Sequence, residues 1–142
     1  MEIEATKDFK RPRADVLEKF RDPARFESVL SEMGASVERR GVLPEARWDC
    51  SLMWRESPRQ MTVSLAETAR DETMTLGLAS DLAGATMVMD FYDLPDGGCR
   101  VLAKADLQAN TVTAKLALQS LRLVRGRAEE RLTRFVAVLG RP

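Results

Sequence analysis

Residues 111 to 139 carry a helical pattern that follows about a hundred residues of strand-like text, and this order restricts the fold more than any other feature of the chain. Ala117, Leu121, Val124, Ala128, Leu132, Phe135 and Leu139 recur at steps of four and three, which puts them on one stripe of a 3.6-residue spiral. At about 1.5 Å per residue, one helix over this stretch would span roughly 40 Å. A helix of that length needs a broad partner surface, and a curved sheet supplies one. Two positions of the stripe are alanine, where a fully packed core helix would carry larger residues. The stripe therefore predicts missing volume between helix and sheet.

The text before it reads as strands punctuated by turns. Ile3, Ala5 and Phe9 alternate with Glu2, Glu4, Thr6 and Asp8, the period of a half-buried strand. Val16, Leu17 and Phe20 then form a small helical face. Asp22-Pro23 supplies an N-cap and a first-turn proline for a second short helix carrying Phe26, Val29, Leu30 and Met33, which Gly34 ends. From residue 35 to 110 alternation returns. Trp48, Cys50, Leu52 and Trp54 oppose Arg47, Asp49, Ser51 and Arg55. Met61, Val63 and Leu65 follow Ser57-Pro58, then Met74, Leu76 and Leu78, then Met87, Met89 and Phe91. After a turn at Asp96-Gly97-Gly98 come Val101, Ala103, Ala105 and Leu107. With a weaker segment near Val37 this makes about seven strands. Short connections imply an antiparallel meander with one wet face, and the C-terminal helix must cover the other.

Composition sets the remaining limits. The 142 residues and 44% apolar content fit a single domain over 1–142 with a genuine core. Twenty-two basic and twenty-two acidic residues cancel, so no net charge draws the whole chain to nucleic acid or acidic membranes. The distribution is uneven. From residue 112 to 142 there are seven Lys or Arg (Lys115, Arg122, Arg125, Arg127, Arg131, Arg134, Arg141) against Glu129 and Glu130. A solvated helix face accounts for such a run, and a docking surface for an anionic partner is the sharper alternative. Nucleic acid is not indicated, because aromatic and basic residues do not interleave. The charged N-terminal residues do not form a signal peptide and no apolar run reaches membrane-spanning length, so the expectation is a cytoplasmic protein without stable membrane insertion. Cys50 and Cys99 are far apart and read as buried free thiols, not as a disulfide or a zinc site.

The order of strand, two short helices, about six strands and a long C-terminal helix resembles the helix-grip fold of the SRPBCC superfamily, which includes START-related lipid carriers, pollen-allergen-like proteins and polyketide cyclase/aromatase-like proteins. The local likeness is strongest at Met1-Glu2-Ile3-Glu4-Ala5 followed by Pro12, Val16, Leu17, Phe20 and Asp22-Pro23. The resemblance covers the chain end to end and implies an α+β domain, its curved antiparallel sheet wrapped around the C-terminal helix over an apolar cavity. It brings no functional signature with it.

The residues support a pocket in their own right. Ala103, Ala105, Ala117 and Ala128 leave volume unfilled, and Met61, Met74, Met87 and Met89 line the facing strands with side chains that adapt to irregular shapes. Trp48 and Trp54 add planar walls, and Phe91, Leu121 and Val124 complete the candidate lining. Lys7 and Glu67 fall in register with apolar neighbours, which makes them candidate polar contacts. The expected ligand is a hydrophobic or amphipathic small molecule or lipid.

Catalysis has less to stand on. The chain contains no histidine, which removes the commonest general base and every Ser-His or Cys-His arrangement. Dinucleotide, P-loop and nucleophile-elbow motifs are missing too, so no catalytic residue, cofactor or metal is assigned. Tyr92, the sole tyrosine, shares the wet side with Thr86, Val88 and Asp90. A metal-free cyclase or aromatase-like enzyme remains the first alternative. The second is an accessory protein-interaction domain without ligand, because Leu116 and Leu123 lie opposite the apolar stripe, where they would suit a homodimer or partner surface.

Overall fold

The computed structural model describes residues 1–41, 45–54 and 56–142, with the side chain of Trp54 outside that description. The elements run β1 (Glu2–Phe9), α1 (Arg13–Phe20), α2 (Pro23–Glu32), β2 (Ser36–Arg40), β3 (Glu45–Trp54), β4 (Ser57–Ala69), β5 (Thr73–Ser80), β6 (Ala83–Asp93), β7 (Cys99–Ala109), α3 (Val112–Leu123) and α4 (Arg125–Leu139). The strands form one antiparallel sheet in the order β1-β7-β6-β5-β4-β3-β2. Each meander strand pairs with its predecessor, while β1 closes against β7. This is the helix-grip architecture the sequence predicts, with the segment around Val37 confirmed as β2.

Local chemistry sets the element ends. The Asp22 carboxylate accepts a hydrogen bond from the Ala24 backbone N–H at 3.0 Å, with Pro23 in the first turn of α2. Thr111 caps α3 in the same way, its hydroxyl accepting from the Ala114 N–H at 3.1 Å. Gly97, at φ +87°, takes the left-handed position that closes the β6–β7 turn.

The inner face of the sheet is built of cross-strand rows. One row runs Ala5, Ala103, Met89, Met74, Glu67, and the next Ile3, Ala105, Met87, Leu76, Leu65, Ala46. Every apolar member of these two rows is buried. The cover is supplied by Val16, Leu17 and Phe20 of α1, Phe26 and Leu30 of α2, and Leu132, Val136 and Leu139 of α4, all in one continuous cluster. Phe20 meets Phe91 edge-on at 5.0 Å between ring centres, and Phe26 stacks on Trp48 at 5.9 Å. Trp48 also donates its indole N–H to Glu27 of α2 at 3.1 Å, which pins α2 to β3.

The C-terminal helix departs from the sequence expectation in one respect. The single helix over residues 111–139 is two helices, interrupted at Val124, whose φ of −120° and ψ of 35° are not helical. The interruption shifts the helical phase, and the predicted stripe divides there. Leu132 and Leu139 are buried, whereas Ala117 and Val124 are exposed. In α3 the inward side is instead formed by Ala114, Leu118 and Leu121, all half-buried.

Candidate functional site

The two ends of the grip differ in how they are closed. At one end, α4 finishes against α1 and α2. Arg25 donates to the Leu139 carbonyl at 3.1 Å and Arg11 donates to the Gly140 carbonyl, so two guanidinium groups satisfy carbonyls at the negative end of the helix. Arg21, just past α1, binds Glu67 through Nε at 2.5 Å and Nη2 at 3.1 Å, and it reaches Asp71 at 2.6 Å. Arg21 holds the Glu67 carboxyl below the usual glutamate range, against burial, which pushes it up; the Asp71 backbone N–H assists. The α1–α2 pair is thereby fastened to both the sheet and α4.

The other end, the open one, is only less completely covered: its apolar residues are half-buried, not exposed. The next inner row runs Trp48, Val63, Leu78, Ala85, Leu107, and its burial falls off along its length. Trp48 and Val63 are buried, whereas Leu78, Ala85 and Leu107 are half-buried. In the row beyond, Met61 and Ala109 are also half-buried, beside buried Cys50. The chain leaves β7 at Ala109 and turns directly into α3, which touches β7 and α4 and contains no fully buried residue. Met61, Leu78, Ala85 and Leu107 form an apolar floor, and the half-buried face of α3 lies at its edge. The walls of this floor are alkyl and thioether groups, which can exclude water from an apolar guest, and one register step beyond Met61 lies Arg59, half-buried with its Nε unpartnered among the described residues.

The candidate residues from the sequence divide between the two ends. Met61 and Leu121 lie at the open end, with Trp48 and Met87 on the rows that adjoin it. Met74, Met89 and Phe91 are buried in the closed part, under α1, α2 and α4. Val124 is 40% exposed at the helix break. Trp54 ends β3, and its side chain falls outside the described residues. Lys7 lies in the row with Val101 and Phe91, away from the open end, and Glu67 is engaged by Arg21. Leu78, Ala85, Leu107 and Leu118 join the open end without having been singled out for a pocket. The available signal was the continuation of strand alternation to the last residues of β5 and β7.

Two clefts lie mainly on the polar outer face. One, about 550 Å³, is bordered by Glu38, Arg40, Asp49, Gln60, Thr62 and Ala79 and reaches Met61 and Ser80, and the other, about 400 Å³, is bordered by Arg13, Glu72, Thr73, Asp90, Phe91, Tyr92 and Asp93. Tyr92, half exposed, stands on this face as its alternation predicts. No cluster of three or more Cys, Asp or Glu residues suited to a metal ion occurs among the described residues. Burial raises both thiols, Cys50 and Cys99, above their ordinary values.

Solved structures place this architecture among known folds. The protein TTHA0849 from Thermus thermophilus superposes with a TM-score of 0.71 at 15% identity, covering 99% of this chain and 94% of that one. The Zhui aromatase/cyclase from Streptomyces sp. R1128 gives 0.67 at 11% identity, covering 99% and 92%. Norcoclaurine synthase from Thalictrum flavum gives 0.65 at 7% identity, covering 99% and 84%. The chain thus has the helix-grip fold of the SRPBCC and Bet v1-like proteins, and at these identities the likeness is one of fold. No protein-family model matches the sequence, and no curated protein matches it.

Proposed function

We propose that this protein binds a hydrophobic or amphipathic small molecule between α3 and the adjoining end of the sheet. One observation carries the reading: an inner face that is buried along the rows under α4 becomes half-open at Met61, Leu78, Ala85 and Leu107, beside a helix that buries nothing completely. Apolar side chains left half-buried across two rows gain free energy from any guest that removes their remaining surface from water, about 25 cal/mol for each Å² covered. The floor is fixed by the sheet, so a guest would not have to organise it. The four floor residues are themselves apolar, which suits a guest held by burial.

The test is a fluorescence titration with N-phenyl-1-naphthylamine, an uncharged probe that brightens in apolar surroundings. Saturable binding to the native protein that is lost on Ala85→Phe, with the circular dichroism spectrum unchanged, supports the reading. A native protein that fails to brighten the probe at any concentration short of its solubility contradicts it.

A further inference from the structure

α3 is apolar on two opposite sides, and the second side has no partner in the fold. Ala114, Leu118 and Leu121 make the half-buried side. With 3.6 residues per turn, Val112, Leu116 and Leu123 fall on the opposite side, where they are 74%, 59% and 88% exposed. Three large apolar residues aligned on the solvent face of one short helix form a patch, not scattered exposure. Lys115 and Arg122 run along one side of this stripe, Arg125 and Arg127 follow beyond the break at Val124 in the first turn of α4, and all four are exposed. Between Asp106 and Glu129 the sequence contains no acidic residue. Arg125 approaches Glu129 at 4.0 Å, and the other three cations form no ion pair among the described residues. The neutral balance of the whole chain therefore conceals a local surface that is both cationic and apolar.

We propose that this face docks on the surface of an anionic lipid bilayer, with Val112, Leu116 and Leu123 entering the boundary between headgroups and acyl chains and Lys115, Arg122, Arg125 and Arg127 meeting the lipid charge. Helices that lie in a membrane interface have this division of apolar and basic groups. None among the described residues is long and apolar enough to cross a membrane, so the contact is one of surface. A second copy of the chain fits the face less well. It would bring the same cations together with no acid in α3 to pair them. The stripe, roughly 18 Å by 10 Å on a helix of this length, is also far below the ~800 Å² per partner that a stable dimer buries. Docking by this face does not depend on what occupies the apolar floor on the other side of α3.

The experiment is cosedimentation of the full chain with vesicles of phosphatidylcholine alone and of phosphatidylcholine containing about one third phosphatidylglycerol. Binding to the anionic vesicles only, weakened by added salt and cut at least about tenfold in the L116S/L123S double variant, is the expected result. Lys115→Ser with Arg122→Ser should reduce both the binding and its salt dependence. Both leucines are exposed, so the double variant should keep its circular dichroism spectrum and its affinity for N-phenyl-1-naphthylamine, which separates this proposal from the fate of the binding-site reading. Failure to bind anionic vesicles at low salt, equal binding to both vesicle types, or binding untouched by L116S/L123S overturns it. A dimer in sedimentation equilibrium that this variant dissolves would assign the face to a second copy and also overturn it.

Discussion

Arg21 and Glu67 stand 46 positions apart in the chain and meet through two hydrogen bonds, at 2.5 and 3.1 Å, that fasten the α1–α2 pair to β4. The Glu67 side chain is 14% exposed and that of Arg21 is 34% exposed, so the pair sits at the margin of the core, where water screens part of its attraction. It ties the α1–α2 pair to the sheet at the closed end of the grip.

Loss of this pair should lower stability modestly and change its response to acid. Glu67→Gln is expected to cost about 1 kcal/mol at neutral pH, after allowance for screening. The folded-state carboxyl lies below its unfolded value, near 4.3 for glutamate, so its contribution is full above that pH and disappears as the pH falls through the depressed folded value. Urea melts between pH 7 and 3 should show a shallower acid loss for the variant than for the native protein. Parallel curves would remove Glu67 from the acid response.

Enlarging an alanine should have opposite consequences at the two ends. Ala105 is 6% exposed and lies between Ile3 and Met87, so Ala105→Leu is expected to cost about 1 to 3 kcal/mol through overpacking. Ala85→Leu, at the half-buried floor, should leave stability within about 0.5 kcal/mol and weaken binding of the naphthylamine probe. Equal losses of stability at both positions would mean that the open end is packed as tightly as the closed one.

Two glycines should respond in opposite directions as well. A Cβ at buried Gly98 would fall on the backbone carbonyl oxygen of Phe9, which no rotamer change can move aside, so Gly98→Ala should destabilise by about 2 kcal/mol. A Cβ at Gly126 meets nothing within 4 Å, and Gly126→Ala should stabilise by about 0.5 kcal/mol through helix propensity. Thermal melts of the two variants read both signs directly.

The thiols should be inert until the fold is lost. Cys50 is 1% exposed and Cys99 is 0% exposed, and burial pushes both away from the thiolate form. Ellman's reagent is expected to find no fast-reacting thiol in the native protein and two after denaturation with guanidinium. Rapid reaction of either in native buffer would show that its strand opens readily.

The strands and their inner faces were legible in the sequence because alternation records which side of a sheet is dry. Met61, Met74, Met87 and Met89 do share the inner face, and Asp22-Pro23 does open α2. What alternation does not record is how far along a strand the cover extends. Met74 and Met61 read alike, yet Met74 is fully buried in the part shared with α1, α2 and α4, and Met61 lies half-buried near the rim. The break at Val124 was hidden for a related reason. Leu121, Val124 and Ala128 keep helical spacing, so the stripe looks continuous, while the backbone leaves helical geometry at Val124 and turns the inward side of α3 to Ala114, Leu118 and Leu121. Lys7 and Glu67 share inward register, and only the tertiary fold reveals that Arg21 arrives from another element to engage the carboxylate.

The most direct test of an apolar site at the α3 end is a methyl NMR titration on protein labelled at the methionine methyl groups, with N-phenyl-1-naphthylamine as the added ligand. The seven methionines sample both regions, with Met61 half-buried at the open end and Met74 and Met89 fully buried in the closed part. A site at the α3 end gives a saturable shift of the Met61 signal while those of Met74 and Met89 stay in place. Signals that all remain unmoved, or shifts confined to Met74 and Met89, would contradict a binding site between α3 and the open end of the sheet.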